Sequence, residues 1–500
     1  MVCSLRFSGV VEDKKENILS ILEGADKDLL KKGVPKGMEG GASIENIEFF
    51  SDRIRLILVS DRYVRAHDAV FRLKKKLSQK MGKKFHVGVR GIDILSYDVE
   101  FKCDDEPVEP VDIPFVDHIE FKGNLCRLNI TDLTQEQLEN NYVDRIIKRV
   151  MEKVNAQYYR GKGEQWKLLW SSERKEVVWK KDPTVEMEKK GWIMKGPTKG
   201  KWFYRPQAAK ILRTMKNIAL QEVLEPLGFQ EIIESLMVPF DVWIDTGHME
   251  GVPNEMYYVS EPVTRDPLEW EQFVDHVKIA REVPEELLAK LVSKPKSGVC
   301  YAQCPVVYWS LRNQTIADES LPLLVYDRTV PSARYESGGR HGIERVDEFH
   351  RIEPVYVGTK EQLVDLKERM IRRYNYVFEE ILELEWRMAE VEPFYLQQSG
   401  SSESKEGVEE GTIDFEAYLP YRGSREENEW LEFQNLSIFR KYTKAFNIKS
   451  QTKELYSGCS GIGLERWTTA FLAQKGIELS NWPEKFRELY GESPKGLKLL

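Results

Sequence analysis

The chain has 500 residues, and 41% of them are hydrophobic, which is enough to form cores in two or three domains. Its formal net charge of −8 argues against nonspecific nucleic-acid binding through overall charge. No window reaches the about 18 apolar residues that span a bilayer, and the N-terminus lacks the apolar run of a signal peptide, so we expect no membrane association.

Residues 1–160 are predicted to form a small α+β domain. Strand-like runs and helical runs with apolar residues three and four apart alternate here. The predicted strands cover residues 4–11, 44–59, 85–101 and 118–130, and the predicted helices cover 16–32, 62–81 and 134–159. We find no catalytic constellation in this part of the chain.

Residues 161–205 are predicted to be a connector punctuated by glycine and proline. A basic band surrounds it: residues 145–216 contain 20 Lys and Arg but seven Asp and Glu. Such a band is often only a solvated face, but it can also neutralise phosphates. Its many tyrosines and tryptophans favour RNA, because bases stack on such rings.

Residues 206–500 are predicted to form the larger domain. An amphipathic helix (208–224) and a strand (231–238) come first, followed by a loop region (242–256), a helical insertion (267–289) and a buried strand (300–309). A hairpin (332–353), a long helix (360–391) and a polar segment (394–411) come next. Two strands (412–418 and 429–437) and a strand or glycine turn that becomes a helix (458–473) complete the domain.

The six cysteines are scattered along the chain and do not resemble a disulfide framework. We therefore expect a protein of the reducing cytoplasm.

The hairpin at residues 332–353, SARYESGGRHGIERVDEFHRIE, is the most informative stretch. Its glycine-rich turn and the alternation after it predict antiparallel strands with a flexible tip. Its arginines, permanently charged, can fork onto phosphate or carboxylate oxygens; they are Arg334, Arg340, Arg345 and Arg351. Phe349 offers a flat apolar surface for a base.

Three segments in the right order resemble motifs 1, 2 and 3 of the class II aminoacyl-tRNA synthetases. They are Leu236–Pro239 (LMVP), the hairpin with Arg334-x-Glu336, and Gly461–Arg466 (GIGLER). The similarity extends over essentially the whole chain to the atypical seryl-tRNA synthetases of methanogenic archaea. It implies an α+β fold, with an antiparallel-sheet catalytic domain, a separate N-terminal tRNA-binding domain and a homodimer.

The resemblance also implies a reaction: ATP and L-serine form seryl-adenylate, and the seryl group is then transferred to tRNA(Ser), and to tRNA(Sec) as well. Attack on the α-phosphorus gathers negative charge, so fixed cations and positioning matter more than a proton shuttle. The implied catalytic residues are Arg334, Arg345 and Arg466. The implied ATP-binding residues are Arg334, Glu336, Arg345, Val346, Phe349, Glu432 and Arg466, with Glu432 as the ligand of Mg²⁺.

Within that family, one zinc ion per subunit binds the amino group of serine. The matching ligands are Cys304, Glu353 and Cys459, and the matching serine-binding residues are Ala302, Arg351, Glu353 and Asn435, with Gln397 or Gln398 from the 394–411 segment, which closes over serine. From the sequence alone, Cys304 and Cys459 would be assigned to a core, and Cys300 with Cys304 is a competing metal pair. Asn435 lies three residues after Glu432, so on a regular strand their side chains face opposite ways unless a bulge intervenes.

Three other functions are considered. A ligase that loads an amino acid onto a carrier protein shares this catalytic domain, but the basic band and the first 160 residues argue against it. An inactive RNA-binding paralogue would not need the intact Arg334, Glu432 and Arg466. A zinc-using enzyme for threonine would need histidine ligands, which His341 and His350 are poorly placed to provide.

Overall fold

A computed structural model of the protein describes residues 1–26, 29–35, 37–131, 133–159, 166–328, 331–336, 339–391, 411–426 and 430–497. Over these residues the chain divides into two compact units, Met1–Gly163 and Glu164–Leu500. A membrane-spanning helix, long and apolar enough, is not found in the described ranges. The six cysteines are buried and free.

The first unit is built on an antiparallel sheet, six-stranded over its described residues. The strands are β1 (Val2–Phe7), β2 (Ala42–Phe49), β3 (Arg53–Ser60), β4 (Val89–Lys102), β5 (Val116–Lys122) and β6 (Leu125–Ile130). They lie in the order β2-β3-β1-β4-β6-β5. The helices are α1 (Lys15–Asp26), α2 (Ala66–Phe85), α3 (Gln135–Glu139) and α4 (Tyr142–Tyr159).

The helices of this unit follow the predicted apolar spacing with one interruption. Helix α2 buries Leu73, Leu77 and Met81 at four-residue intervals, so one of its faces belongs to the core of the unit. The predicted helix 134–159 is split into α3 and α4, because Asn141 adopts a φ of 61°, which a continuing helix cannot contain.

The second unit contains a large mixed sheet and several small ones. Its strands are β7 (Trp166–Ser171), β8 (Ile193–Lys195), β9 (Trp202–Tyr204), β10 (Gln230–Ile232), β11 (Met237–Pro239), β12 (Tyr258–Val259), β13 (Ser297–Val299), β14 (Thr315–Ile316), β15 (Leu323–Asp327), β16 (Ser332–Ala333), β17 (Glu348–Phe349), β18 (Arg351–Gly358), β19 (Trp386–Val391), β20 (Gly411–Ala417), β21 (Leu431–Phe439), β22 (Lys449–Ser450), β23 (Tyr456–Cys459) and β24 (Ile462–Gly463). The large sheet has the order β10-β15-β18-β23-β21-β20-β19-β7, and β24 pairs with β18 and β21.

Helices of the second unit cover this sheet and connect its strands. They are α5 (Pro183–Lys189), α6 (Pro206–Ile218), α7 (Glu225–Leu227), α8 (Phe240–Asp245), α9 (His248–Gly251), α10 (Glu271–Ala280), α11 (Glu285–Leu291), α12 (Cys304–Ser310), α13 (Lys360–Tyr376), α14 (Lys441–Ala445), α15 (Leu464–Lys475) and α16 (Glu484–Tyr490). Buried side chains of α6, α13 and α15 form one core with those of the central strands. That core supports the sheet from one side.

The segment predicted as a connector, residues 161–205, contributes regular structure to the second unit. Strand β7 pairs with β19 at the edge of the large sheet, and α5, β8 and β9 follow it. The side chain of Asp182 caps α5 by accepting hydrogen bonds from two backbone N–H groups.

Three further predicted elements differ from the observed ones. Residues 300–309 were predicted as a buried strand, but the chain turns into helix α12 at Cys304, where Pro305 occupies a first-turn position that suits a helix. The helix predicted over residues 360–391 is too long: α13 continues through a π-helical segment, Val377–Ile381, and Glu383 then takes a φ of 49° before β19 begins. The predicted loop 242–256 contains the short helices α8 and α9.

Candidate active site

A cavity of about 480 Å³ lies in the second unit. Most of the residues singled out from the sequence line it, together with polar side chains that the sequence did not indicate. The predicted residues in its wall are Ala302, Cys304, Arg334, Glu336, Val346, Phe349, Arg351, Glu353, Glu432, Asn435, Cys459 and Arg466. Side chains from β18, β21, β23 and α15 thus meet the hairpin and the start of α12 in one place.

The hairpin at residues 332–353 is held together by Asp347. Strands β16 and β17 pair antiparallel, and the backbone carbonyl of Asp347 accepts a hydrogen bond from the Arg334 N–H at 2.8 Å. The buried Asp347 carboxylate accepts the Glu336 N–H at 3.1 Å and the Tyr257 hydroxyl at 2.7 Å. Two cavity-lining residues, Arg334 and Glu336, are therefore fixed by one aspartate.

Arg340 is bound within the protein at this aspartate. Its Nε and Nη2 donate to the Asp347 carboxylate at 2.8 Å, and its guanidinium lies 4.3 Å from the ring centre of Tyr335. Although burial alone would raise the pKa of Asp347, the hydrogen bonds from Arg340, Tyr257 and Glu336 hold that pKa below its ordinary value. Arg340 thus stabilises the hairpin.

Arg334 faces acidic neighbours in the cavity. Its guanidinium nitrogens lie 3.4 Å from an oxygen of Glu255 and 3.5 Å from one of Glu336. Both distances are those of an ion pair without a close hydrogen bond, and the Arg334 side chain keeps 35% exposure. The guanidinium is therefore oriented but accessible to an anionic ligand.

Arg466 lies in the first turn of α15 and lines the same cavity as Phe349. Its Nη1 donates to the carboxylate and to the backbone carbonyl of Glu432, both at 2.9 Å, and its Nε donates to the carbonyl of Glu344 at 3.2 Å. Arg466 and Phe349 both line the cavity, as two faces around a planar ring would require.

A bulge in β21 solves the orientation problem of Glu432 and Asn435. Gln434 pairs with Phe415 and Glu432 pairs with Glu416, so Phe433 is the extra residue. With this bulge, Glu432 and Asn435 both line the cavity. The Asn435 side-chain oxygen accepts the Gly461 N–H at 2.8 Å.

Cys304, Glu353 and Cys459 form a buried cluster whose ligand atoms lie within 4.8 Å of one another. Glu353 also contacts the Arg351 guanidinium, and neither Glu353 oxygen has a hydrogen-bond partner of good geometry among the described residues. Two thiols and a carboxylate at such distances are a donor set that suits zinc, and three protein ligands leave a position open. The residues present therefore fit the ion that the family resemblance implies.

The protein groups around this cluster oppose its ionisation. The adjacent Cys459 thiol and burial raise the pKa of Cys304 well above its ordinary value. Burial raises the pKa of Glu353, and the Arg351 charge acts in the opposite direction. A divalent cation would reverse this balance, because it favours thiolate and carboxylate ligands.

Sequence reasoning missed several residues of the site. Tyr301, Thr412 and Asp414 line the cavity, but a tyrosine, a threonine or an aspartate in a strand-like run carries no local signal. Glu465 was quoted only as part of GIGLER; buried, it accepts hydrogen bonds from the backbone N–H of His350 at 2.9 and 3.0 Å and faces its ring nitrogen at 2.6 Å.

Among the predicted site residues that the structure describes, Arg345 does not belong to the cavity lining. Its backbone pairs with His341 at the hairpin tip. Gln397, Gln398 and the rest of the segment predicted to close over serine lie outside the described residues.

Comparisons with known proteins show which families this chain is similar to. Residues 1–152 match the model of a family described as a tRNA-binding domain. The chain is 47% identical to a type-2 serine–tRNA ligase of Methanococcoides burtonii, over 97% of this chain and 96% of that protein. It is 44% identical to a type-2 serine–tRNA ligase of Methanothrix thermoacetophila, over 99% of each chain.

A solved structure extends the similarity to three dimensions. The Methanopyrus kandleri seryl-tRNA synthetase, crystallised in complex with A. aeolicus tRNA(Sec), superposes with a TM-score of 0.83 and 29% identity. The match covers 100% of this chain and 98% of that one.

Proposed function

This chain belongs to the type-2 serine–tRNA ligases, and on that premise we propose that it activates serine beside a zinc ion held by Cys304, Glu353 and Cys459. As an aminoacyl-tRNA synthetase of class II fold, it uses ATP and Mg²⁺ to join serine to tRNA. The observation that carries the proposal is the buried thiol–carboxylate cluster in the wall of the cavity that also contains Arg334 and Arg466.

The zinc ion, when bound, supplies an open coordination position for the serine amino group. Arg351 and Asn435 line the same end of the cavity and orient the amino acid, with Ala302 leaving space for its small side chain. The resemblance implies Gln397 or Gln398 as a further contact for serine. A pocket distinguishes amino acids only weakly by one small side chain. The enzyme therefore needs to recognise the amine and the hydroxyl of serine together.

The nucleotide binds at the hairpin end. Phe349 and Arg466 hold the adenine ring between them, and Glu336 with the backbone near Val346 contacts the nucleoside. Arg334 holds the α-phosphate and the attacking carboxylate, Arg345 binds the outer phosphates, and Glu432 binds Mg²⁺. The reaction needs fixed positive charge at the pentavalent centre, and no general base is assigned.

The first unit is proposed to hold the tRNA, with tRNA(Ser) as substrate and tRNA(Sec) as a second one. The match of residues 1–152 to a tRNA-binding family supports this and does not favour a carrier protein as acceptor. Both tRNA and ATP are cytoplasmic, so we place the enzyme there.

The protein is proposed to act as a homodimer. Apolar side chains are exposed along the segment that contains β10 and β11: Ile233 is 78% exposed and Met237 53%. A second copy would cover them. Sedimentation at twice the chain mass is the expected result.

The test is amino-acid-dependent pyrophosphate exchange across the standard amino acids, with zinc analysis of the same sample. We expect exchange with serine, and one zinc per chain. Cys459→Ser should lose the zinc and at least 100-fold in serine-dependent exchange, because a hydroxyl is a poor zinc ligand. Equal zinc content and activity in that variant would remove the metal from the mechanism.

A further inference from the structure

Tyr301 has a buried hydroxyl in the wall of the active-site cavity. The residue is only 5% exposed, and within the described part of the chain its hydroxyl has no hydrogen-bond partner. Leaving such a group unsatisfied costs free energy, whereas a phenylalanine would fill the same space without that cost. Packing alone therefore does not account for a tyrosine here.

The ring of Tyr301 is fixed, so its hydroxyl cannot turn away to find a partner. The indole of Trp243 stacks on it at 5.0 Å between ring centres and an angle of 8°. The His248 ring packs edge-on at 5.7 Å. The backbone carbonyl of Tyr301 accepts a hydrogen bond from Arg351 at 3.2 Å, which ties this segment to the proposed serine end of the cavity.

The charges around the hydroxyl indicate what it can bind. Burial raises the pKa of Tyr301, so the group is a protonated donor at neutral pH. Arg334 and Glu255 line the same cavity as Tyr301, and the Arg334 charge acts against burial on this pKa. A protonated donor beside a guanidinium favours a ligand atom that is an anionic oxygen.

We infer that the Tyr301 hydroxyl is a substrate-binding group, which donates a hydrogen bond to an anionic oxygen held by Arg334. The inference rests on the proposed function, in which two such oxygens meet at this position: the carboxylate of serine and the α-phosphate of ATP. Both are hydrogen-bond acceptors, and the attack of one on the other is the first chemical step. A donor fixed by Trp243 needs no reorganisation as charge develops there.

Tyr301→Phe in the full-length zinc-loaded enzyme tests this, because it removes the hydroxyl and keeps the ring. We expect kcat/KM for serine-dependent pyrophosphate exchange to fall about 10- to 100-fold, the effect of losing a hydrogen bond to a charged group. The thermal midpoint should stay the same or rise, since an unsatisfied buried group is lost. A merely structural hydroxyl would give the opposite combination, with unchanged kinetics and a lower midpoint.

Two further measurements distinguish the two oxygens. Calorimetric titration with serine alone reports on the carboxylate: weaker serine binding in Tyr301→Phe assigns the hydroxyl to it. Unchanged serine binding, combined with a raised KM for ATP or a lowered kcat, assigns the hydroxyl to the α-phosphate. Either result supports the inference.

Tyr418→Phe is the matched control. The Tyr418 hydroxyl is also buried, but it donates to the carbonyl of Gly423 at 2.9 Å and is not part of the cavity lining among the described residues. Its loss should lower the thermal midpoint and leave the exchange kinetics unchanged. Exchange within twofold of wild type in Tyr301→Phe overturns the inference, while a wild-type enzyme without serine-dependent exchange overturns the proposed function itself.

Discussion

Arg466 and Glu432 are assigned to different parts of the same nucleotide, yet they are bonded to each other. The Arg466 Nη1 lies 2.9 Å from a carboxylate oxygen of Glu432, and the two side chains are 27% and 41% exposed. Such partly exposed pairs are weak and exchange for other partners at low cost. The pair therefore orients both groups, and we predict that the proposed ligands, adenine and Mg²⁺, replace their mutual contact.

Gly461 leaves room for the Arg351 guanidinium, since a side chain at this glycine would collide with its Nη2. Arg351 cannot retreat easily, because it contacts Glu353 and donates to the Tyr301 carbonyl. We expect Gly461→Ala to raise the KM for serine about tenfold, the effect of displacing one charged hydrogen bond. The KM for ATP should stay within twofold, and pyrophosphate exchange measures both constants.

Gly24→Ala is the control for that substitution. A Cβ at Gly24, in α1 of the first unit, meets no atom within 4 Å, so serine activation should be unaffected. An equal rise in the two KM values of Gly461→Ala would mean a general distortion of the cavity and would contradict the specific role.

At the scale of elements, helix α15 is tied to the hairpin by a histidine–carboxylate contact. Glu465 is buried in the first turn of α15, and His350 follows β17 with its side chain 52% exposed. The contact raises the pKa of His350 above its ordinary value of 6.5. Since the same turn carries Arg466, the contact joins the proposed adenine pocket to the strand that bears Arg351.

This contact predicts a pH dependence of stability. A raised pKa means that the protonated His350 stabilises the fold fully below about pH 6.5 and that this contribution is lost as the pH rises through the raised value. The ring is half exposed, so we expect less than about 1 kcal/mol. In the wild type, the free energy of unfolding should decrease by this amount between pH 6 and pH 9 because His350 loses its proton. The variant His350→Gln should lack this part of the decrease.

Tryptophan fluorescence in urea is the measurement for this prediction. All 12 tryptophans lie between residues 166 and 482, so the signal reports on the second unit. The same decrease in wild type and variant between the two pH values would assign the pH dependence to other groups.

The elements that the sequence predicted well are those with one dominant local signal. The hairpin was indicated by its turn glycines and alternation, and the start of α13 by its amphipathic apolar spacing. Residues 300–309 lacked such a signal, because an apolar run suits a buried strand and a buried helix equally. Pro305, which suits the first turn of a helix, favours α12. The bulge at Phe433 and the meeting of Cys304 with Cys459 depend on strand pairing across the sheet, which no local pattern encodes.

At the scale of the whole molecule, positive charge is concentrated in particular elements although the net charge is −8. Helix α2 of the first unit contains seven Lys and Arg and one Asp. Leu73 and Leu77 lie on the buried apolar face of α2, so most of its lysines and arginines are on the solvent-facing side. The rest of the protein has a net negative charge and would repel a polyanion such as tRNA. Helix α2 offers the polyanion a local basic site.

Lys75, Lys80 and Lys83 of α2 are exposed, and they form no ion pair within the described residues. Replacing all three by Gln should raise the KM for tRNA at least tenfold at about 0.1 M salt. The slope of log KM against log salt concentration should become shallower by about 2 to 3, because each lysine that neutralises a phosphate releases about one counterion. Pyrophosphate exchange without tRNA should be unchanged, since the proposed active site lies in the second unit. The matched control replaces three exposed lysines of that unit, Lys278, Lys290 and Lys294. An equal rise of the KM for tRNA in the control would mean that only the overall charge matters. A rise confined to the α2 variant would assign tRNA binding to this helix.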